Sequence, residues 1–397
     1  MSPQEPVYWD PYDRDIANDP YPVYQRLRTE APLYYNDKHD FYALSRYGDI
    51  DAALQDWKTF SSARGPILEI IKADIEIPPG TLIMEDPPAH DIQRKLLSRV
   101  FTPKRVLMLE PQIRAYCVRS LDRLDGVDQF DFMAEYAKEI PMRVIGMLLG
   151  IPETDQEAVR DRADANLRTE PGQQMNVEER GIGNPDLFGD YIDWRVDHPS
   201  DDLMTDMLRA EFVDIHDVRR TLTRDEILTY VSVLAGAGNE TTARLLGWLG
   251  SLLAKYPEQR AELVDDPSLI PNAIEETLRF EPTGHAIARY VTTDIEFHGV
   301  TVPAGSAISL IIASANRDSD RWSDPDRFDV RRSVSHLRTF GFGPHFCLGA
   351  SLARLEARVA MEEFLKRFPR WDVDWDALSL SSTSTVRGWE ALPITVN

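Results

Sequence analysis

The eleven residues Phe340-Gly-Phe-Gly-Pro-His-Phe-Cys-Leu-Gly-Ala350 constrain the fold of this chain more tightly than any other stretch. Gly341, Gly343 and Gly349 bracket Cys347, and glycine lets a backbone turn sharply and lie close to a flat ligand. Beyond the cysteine, Leu352, Leu355, Val359 and Phe364 recur at helical spacing, so Cys347 falls where a loop becomes a helix. The free amides and positive end of that helix favour an anion, which poises the sulfur as a thiolate able to ligate iron. Two other readings of the same residues are a buried structural cysteine and a nucleophile with His345 as its base, for which no orienting third group is evident.

Phe340, Gly343, His345, Cys347 and Gly349 together fit the pattern Phe-x-x-Gly-x-(His or Arg)-x-Cys-x-Gly. The run resembles the cysteine-ligand loop of cytochrome P-450, the haem-thiolate monooxygenases. That resemblance implies a mainly α fold with a minor β portion and a long central helix over haem b. It makes Cys347 the iron ligand and places Phe340, His345 and Gly349 against the cofactor.

The 397 residues hold no Gly/Ser-rich linker, low-complexity tract or internal repeat, so one domain over 1–397 is expected, as in the family. Two cysteines, Cys117 and Cys347, cannot form a disulfide framework or a four-thiolate metal site, and a reducing cytoplasm fits them. No basic-then-apolar leader and no run of about eighteen apolar residues occurs, so no membrane anchor is expected. A net charge of -22 argues against general nucleic-acid binding.

In chain order, Tyr21 to Glu30 reads as a helix stopped before Pro32, Leu33 to Leu44 as a hairpin, and Tyr47 to Trp57 as a further helix. Arg64 to Glu85 reads as a loop-rich segment; in relatives this region roofs the substrate pocket, and Ile67, Leu68, Ile70, Ile71 and Ile83 would make that roof apolar. After two prolines a helix begins in which His90 and Arg94 share a face; the family uses such a pair on the haem propionates. Lys95, Arg99, Lys104 and Arg105 follow in an otherwise acidic chain, and Arg354 and Arg358 would extend that patch. We expect it to dock an acidic ferredoxin. Residues 153–199, acidic and broken by glycines, match the family's lid helices in position. The β-rich portion is expected at about 33–44 and 285–312.

Thr223-Arg-Asp-Glu reads as a capping box opening one long helix. Its centre, Ala235-Gly-Ala-Gly-Asn-Glu-Thr-Thr, lowers helix propensity where a core helix should be strongest. Small residues would clear room for a cofactor, and Thr241 can bond its own helix backbone. The stretch resembles the family's oxygen-activation motif, which implies a proton relay by Glu240 and Thr241, with Leu234, Ala237 and Gly238 at the pocket. Glu276 and Arg279 share a helical face; the family pairs such residues with a later arginine, here Arg327, in a structural role. By position Arg289 matches another propionate-binding arginine, while Thr283, Ala286, Ile287 and Val386 would face substrate. His285 and Arg387 leave a substrate carboxylate contact open.

The resulting expectation is a monooxygenase that inserts one atom of O2 into an apolar terpenoid, steroid or fatty-acyl substrate, by hydroxylation or epoxidation, with electrons passing from NAD(P)H through ferredoxin reductase and ferredoxin. A peroxide-driven haem-thiolate enzyme and a haem-based binder or sensor are the alternatives.

Overall fold

The computed structural model describes residues 5–78, 80–99, 101–170, 172–177, 187–381 and 386–396. Pro79, residues 178–186 within the lid stretch, and residues 382–385 before Val386 lie outside the described residues.

The predicted long helix runs Arg224–Lys255 and is 32 residues long, a span of about 48 Å. Its start is the expected reciprocal cap: Thr223 Oγ1 accepts from the Glu226 amide at 3.2 Å, and Glu226 Oε2 accepts from the Thr223 amide at 2.8 Å. Around its C-terminal half, apolar faces of Glu110–Asp122, Glu139–Leu149, Ile270–Phe280 and Ala350–Arg367 close one large core, in which Leu246, Leu253, Val359 and Phe364 are fully buried. Around its N-terminal half a second cluster gathers Leu203, Met204, Tyr230 and Val231 with Leu187 and Ile192. Burial on nearly all sides explains why the helix has no strong polar face.

The β portion lies apart from this helical body. Five strands order as Leu33–Asn36, Phe41–Leu44, Ala307–Leu310, Ile287–Val291 and Phe60–Ser61. All neighbours are antiparallel except Phe41–Leu44 with Ala307–Leu310, which run parallel. Ile295–Phe297 pairs with Val300–Val302 through a two-residue turn in which His298 and Gly299 both take positive φ, 51° and 78°. That geometry matches the right-handed twist of hairpin strands.

The segment after Arg64 differs from expectation. It contains a short helix, Leu68–Ala73, and a single 3-10 turn, Leu82–Met84. Leu68 and Ile71 pack into the core with Trp9, Tyr24 and Phe41, Ile67 and Ile70 join Met84 and Val177, and Ile83 is exposed. A helix one and a half turns long must bury its own apolar face, so these residues form foundation more than roof. Among the described residues, no helix is long and apolar enough to cross a membrane.

Candidate active site

The cysteine loop takes its shape from two left-handed glycines, Gly341 (φ 70°) and Gly343 (φ 68°), around the 3-10 turn Gly343–His345. A Cβ on Gly343 would approach the Leu54 carbonyl to 3.2 Å, so both the conformation and the space demand glycine there. The Cys347 amide donates to the Phe340 carbonyl at 2.8 Å, which closes the loop. Gly349 caps the helix Ala350–Arg367, and nothing lies within 4 Å of a Cβ placed on it. The Arg354 guanidinium covers the Phe340 ring at 4.4 Å.

The amides of Gly349 and Ala350 do point at the Cys347 sulfur, and Arg94 and Arg354 add positive charge. The expectation that these pre-ionise the thiol is nevertheless corrected. Cys347 has accessible surface but is densely surrounded by protein, and burial outweighs the amides and arginines, so its pKa is raised. A thiol in this position is deprotonated by binding a cation, not beforehand.

Beside the loop several nitrogen donors converge. His90, fully buried on the helix Ala89–Ser98, holds its ring 4.4 Å from that of His345, the two planes tilted by 50°. Nε2 of both histidines is buried with no hydrogen-bond partner. Burial and then neighbouring His345 hold His90 below the usual histidine range. Arg94 Nη2 donates to the Phe346 carbonyl at 2.6 Å. Arg289, buried on its strand, donates to the carbonyl of adjacent Ala288 at 2.8 Å, and burial pushes its pKa down to about 10. Arg289 makes no ion pair among the described residues, and the charge of nearby Asp86 offsets only part of the cost of burial, so a further anion would complete the site. Sequence reasoning missed Asp86, which receives Ser61 Oγ at 2.5 Å and the Ser62 amide at 3.0 Å. Its Oδ1 stands 3.8 Å from His345 Nε2. This donor set, with two orphaned imidazole nitrogens, fits the paired propionates of a haem.

The long helix meets the helix Ala350–Arg367 that follows the cysteine. Thr241 Oγ1 donates to the Ala237 carbonyl at 2.8 Å and Asn239 Nδ2 to the Ala235 carbonyl at 2.9 Å, so two side chains compete with the backbone ladder at the predicted weak point. Ala237 is exposed, Thr241 and Leu234 are half-buried, and a Cβ on Gly236 would meet nothing within 4 Å. Gly238 is a correction: its Cβ would fall 2.5 Å from Ile145 Cδ1, so this glycine admits the neighbouring helix Glu139–Leu149 and does not face the open side. Val233, one turn before Ala237 and half-buried, takes a place on that side which the sequence reading had not assigned. Glu240 is buried, with Oε1 3.1 Å from Arg244 Nη2.

The structural charge set also differs by one residue. Glu276 and Arg279, both fully buried, form a two-pronged pair at 2.7 and 2.8 Å. The third arginine is Arg332, whose Nε donates to Glu276 Oε1 at 3.1 Å. Arg327 contributes only its carbonyl, to Arg279 at 3.2 Å, and its exposed side chain leans on Asp329 at 3.5 Å. The loop curls so that its backbone, and not the nearer guanidinium, turns inward. Arg279 further holds the carbonyls of Asn316 and Pro325, and Asn316 Nδ2 donates to Thr339 Oγ1 at 2.8 Å, just before the cysteine loop.

Half of the expected basic patch is already neutralised. Arg105 meets Asp206 at 3.2 Å, Arg354 grips Glu275, and Arg358 bridges Glu110 and Glu362. Lys95, Arg99 and Lys104 are exposed and make no ion pair among the described residues, with Leu107 and Met108 exposed beside them. Arg387 is likewise committed, to Glu281 at 2.8 Å and to the carbonyls of Ala17 and Asn18. His285 is enclosed by Tyr21 and Tyr24. The suggested substrate carboxylate contact at Arg387 therefore falls. Thr283 and Val386 are buried, while Ala286 and Ile287 are half-buried.

Comparison with known proteins agrees with this geometry. The family model for cytochrome P-450 matches residues 265–377. The chain is 38% identical over 392 residues to a putative cytochrome P-450 123 of Mycobacterium tuberculosis (strain ATCC 25618 / H37Rv), covering 98% of this chain and 96% of the relative. It is 35% identical to a vitamin D(3) 25-hydroxylase of Pseudonocardia autotrophica, with 98% and 96% covered. A solved structure of a mutant of P-450 EryK in complex with erythromycin B superposes with a TM-score of 0.85 at 32% identity, over 96% of each chain. The near-complete coverage of these relatives, together with the cysteine loop and donor cradle, shows that the chain belongs to the cytochrome P-450 family of haem-dependent monooxygenases.

Proposed function

We propose that this monooxygenase oxidises an apolar organic substrate of terpenoid, steroid or fatty-acyl type, with electrons from NAD(P)H through a ferredoxin reductase and a ferredoxin. The observation that carries the site assignment is the convergence of His90, Arg94, Arg289 and His345, two of them with orphaned buried nitrogens, beside a cysteine sulfur met by two helix amides. Cys347 would hold the iron, and the four donors the propionates, with Phe340 and Gly349 shaping the face between them. When bound, haem b supplies the iron at which dioxygen is activated, so that one oxygen atom enters the substrate and the other leaves as water.

The remaining work falls to side chains. Thr241 Oγ1 now spends its proton on Ala237; rotated toward the open side, it can donate there and recover a proton from Glu240. Val233, Leu234 and Ala237 give the helix face next to it an apolar lining, and Thr283, Ala286, Ile287 and Val386 would bound the pocket from the other side. An apolar substrate is favoured by that lining and by the removal of Arg387 to Glu281. The relative named a vitamin D(3) 25-hydroxylase supports the steroid-like end of this range. Lys95, Arg99 and Lys104 are the cations left to steer an acidic donor.

The test is the carbon monoxide difference spectrum of the reduced protein beside Cys347→Ala. A strongly red-shifted Soret band that vanishes in the variant is expected. A band that survives the substitution would remove Cys347 from the iron. Turnover that needs ferredoxin and O2, and that collapses in Glu240→Gln, separates this reading from a peroxide-driven enzyme and from a haem-based sensor.

A further inference from the structure

Two buried oxygens beside the N-terminal half of the long helix lack partners. Tyr230, 1% exposed on that helix, leaves its phenol without a hydrogen bond among the described residues, and so does Oε2 of Glu85. The two residues are brought together by the loop before Asp86. Gly80 (φ 91°) lies against the first turn of the long helix, where its Cβ would meet Glu226 at 3.6 Å, and its amide donates to Glu85 Oε1 at 3.2 Å. Glu226 is one turn before Tyr230, and Leu82 of the same loop shares a buried apolar cluster with Tyr230. Burial, and then the charge of Glu85, raises the pKa of the Tyr230 phenol, which therefore keeps its proton. Arg220 is already spent, with Nε on Asp214 at 3.0 Å and its other nitrogens on Glu226 at 2.7 and 2.8 Å. Glu85 makes no ion pair among the described residues, so a proton donor and a proton acceptor stay buried and unanswered, each at a cost that a ligand can recover.

We propose that Tyr230 and Glu85 clamp one hydroxyl group at the far end of the substrate, which is thereby an alcohol of steroid length and not a plain hydrocarbon. An alcohol answers both orphans at once: its O–H donates to Glu85 Oε2, and its oxygen accepts from the Tyr230 O–H. A ketone would leave the carboxylate unanswered, and an ammonium would leave the Tyr230 proton without an acceptor. The helix aims the clamp along the open side. At about 100° per residue, Ala237 and Thr241 both lie within about 20° of the direction of Tyr230. Tyr230 precedes Thr241 by about 16.5 Å along the axis, with half-buried Val233 and Leu234 and exposed Ala237 between them. The hydroxyl and the carbon to be oxidised thus belong at opposite ends of a long apolar body. The inference rests on the reading that oxidation occurs beside Thr241.

The test measures binding of four probes to the haem-loaded protein: 5α-cholestan-3β-ol, the matching 3-ketone, the matching 3β-amine and the parent hydrocarbon 5α-cholestane. Equilibrium dialysis at a fixed cyclodextrin concentration gives the relative affinities, and the Soret shift reports whether a bound probe reaches the iron. The alcohol is expected to bind about ten- to a hundredfold more tightly than the hydrocarbon, the worth of a hydrogen bond to a charged group, with the ketone between them. Tyr230→Phe should weaken the alcohol about two- to tenfold and Glu85→Gln about tenfold, while affinity for the hydrocarbon holds in both. Equal affinities for alcohol and hydrocarbon, or parallel losses of all four probes in the two variants, would overturn the clamp and leave a pair bridged by structural water. Tighter binding of the amine than of the alcohol would overturn the alcohol assignment. If none of the four binds, the substrate class is wrong. Alcohol selectivity in dialysis with no Soret shift would support the clamp but remove it from the place of oxidation, so that the oxidation reading fails where the hydrogen bonds do not.

Discussion

Alanine at Arg332 and at Arg327 should separate two residues that are five apart in sequence and opposite in consequence. Arg332 Nε donates to fully buried Glu276, and its two other nitrogens hold the carbonyls of Ser323, Asp324 and Arg327 at 2.6 to 3.0 Å. Removing one partner of a buried ion pair costs about 3–5 kcal/mol. Glu276 keeps Arg279 and the Asp329 amide, so the low end, about 3 kcal/mol, applies. Arg327 is 69% exposed with a single contact at 3.5 Å, and its truncation should cost no more than about 0.5 kcal/mol. An unfolding entropy of about 2.1 cal/mol/K per residue gives about 0.8 kcal/mol/K for this chain. Arg332→Ala should therefore lower Tm by about 3–4 °C and Arg327→Ala by less than about 1 °C. Circular dichroism melts of the haem-loaded proteins at one scan rate provide the comparison. An Arg327→Ala protein destabilised as much as Arg332→Ala would refute the assignment of the third arginine.

Gly238→Ala places a methyl 2.5 Å from Ile145 Cδ1 and should cost about 1–3 kcal/mol. Ile145→Val should recover part of that loss in the double variant, and additive losses in urea unfolding would contradict the contact. Burial pushes the Glu356 carboxyl up to about 8, so between the ordinary carboxylate range and that value the folded chain binds a proton that the unfolded chain has released. Stability is then full at acid pH and falls as pH rises through this window, by up to about 1.4 kcal/mol per unit. Glu356→Gln should flatten the fall, and unfolding midpoints with the same pH slope in both proteins would exclude it. Charge reversal at Lys95, Arg99 and Lys104 together should slow reduction by ferredoxin about tenfold at low salt. The difference should close at high ionic strength, and equal rates at low salt would leave the patch without a role.

Features written in adjacent residues were legible before the structure. The capping box at Thr223 and the glycine-bracketed cysteine each depend on chemistry within a few positions, and local geometry decides them. Features that depend on rotation about a helix were half legible. Small residues at 235–238 announced a close approach, but whether Gly238 served a cofactor or Ile145 depended on which element packs on which side. Pairing across long separations was not legible at all. Glu390 lies 146 positions from Arg244, and Glu110 lies 248 from Arg358, so a run of arginines read as a free patch was partly spent on distant acids. Arg327 and Arg332 could not be ranked because an irregular loop has no period from which inward and outward positions follow.

The parallel pairing of Phe41–Leu44 with Ala307–Leu310 also governs the order of assembly. During synthesis the hairpin Leu33–Leu44 emerges early, yet Tyr42 must wait for Ile308, and an apolar edge left unpaired that long invites association with other chains. Arg289 sits on Ile287–Val291, the other neighbour of that late strand, and Cys347 emerges later still. Cofactor capture therefore belongs to the last steps of maturation.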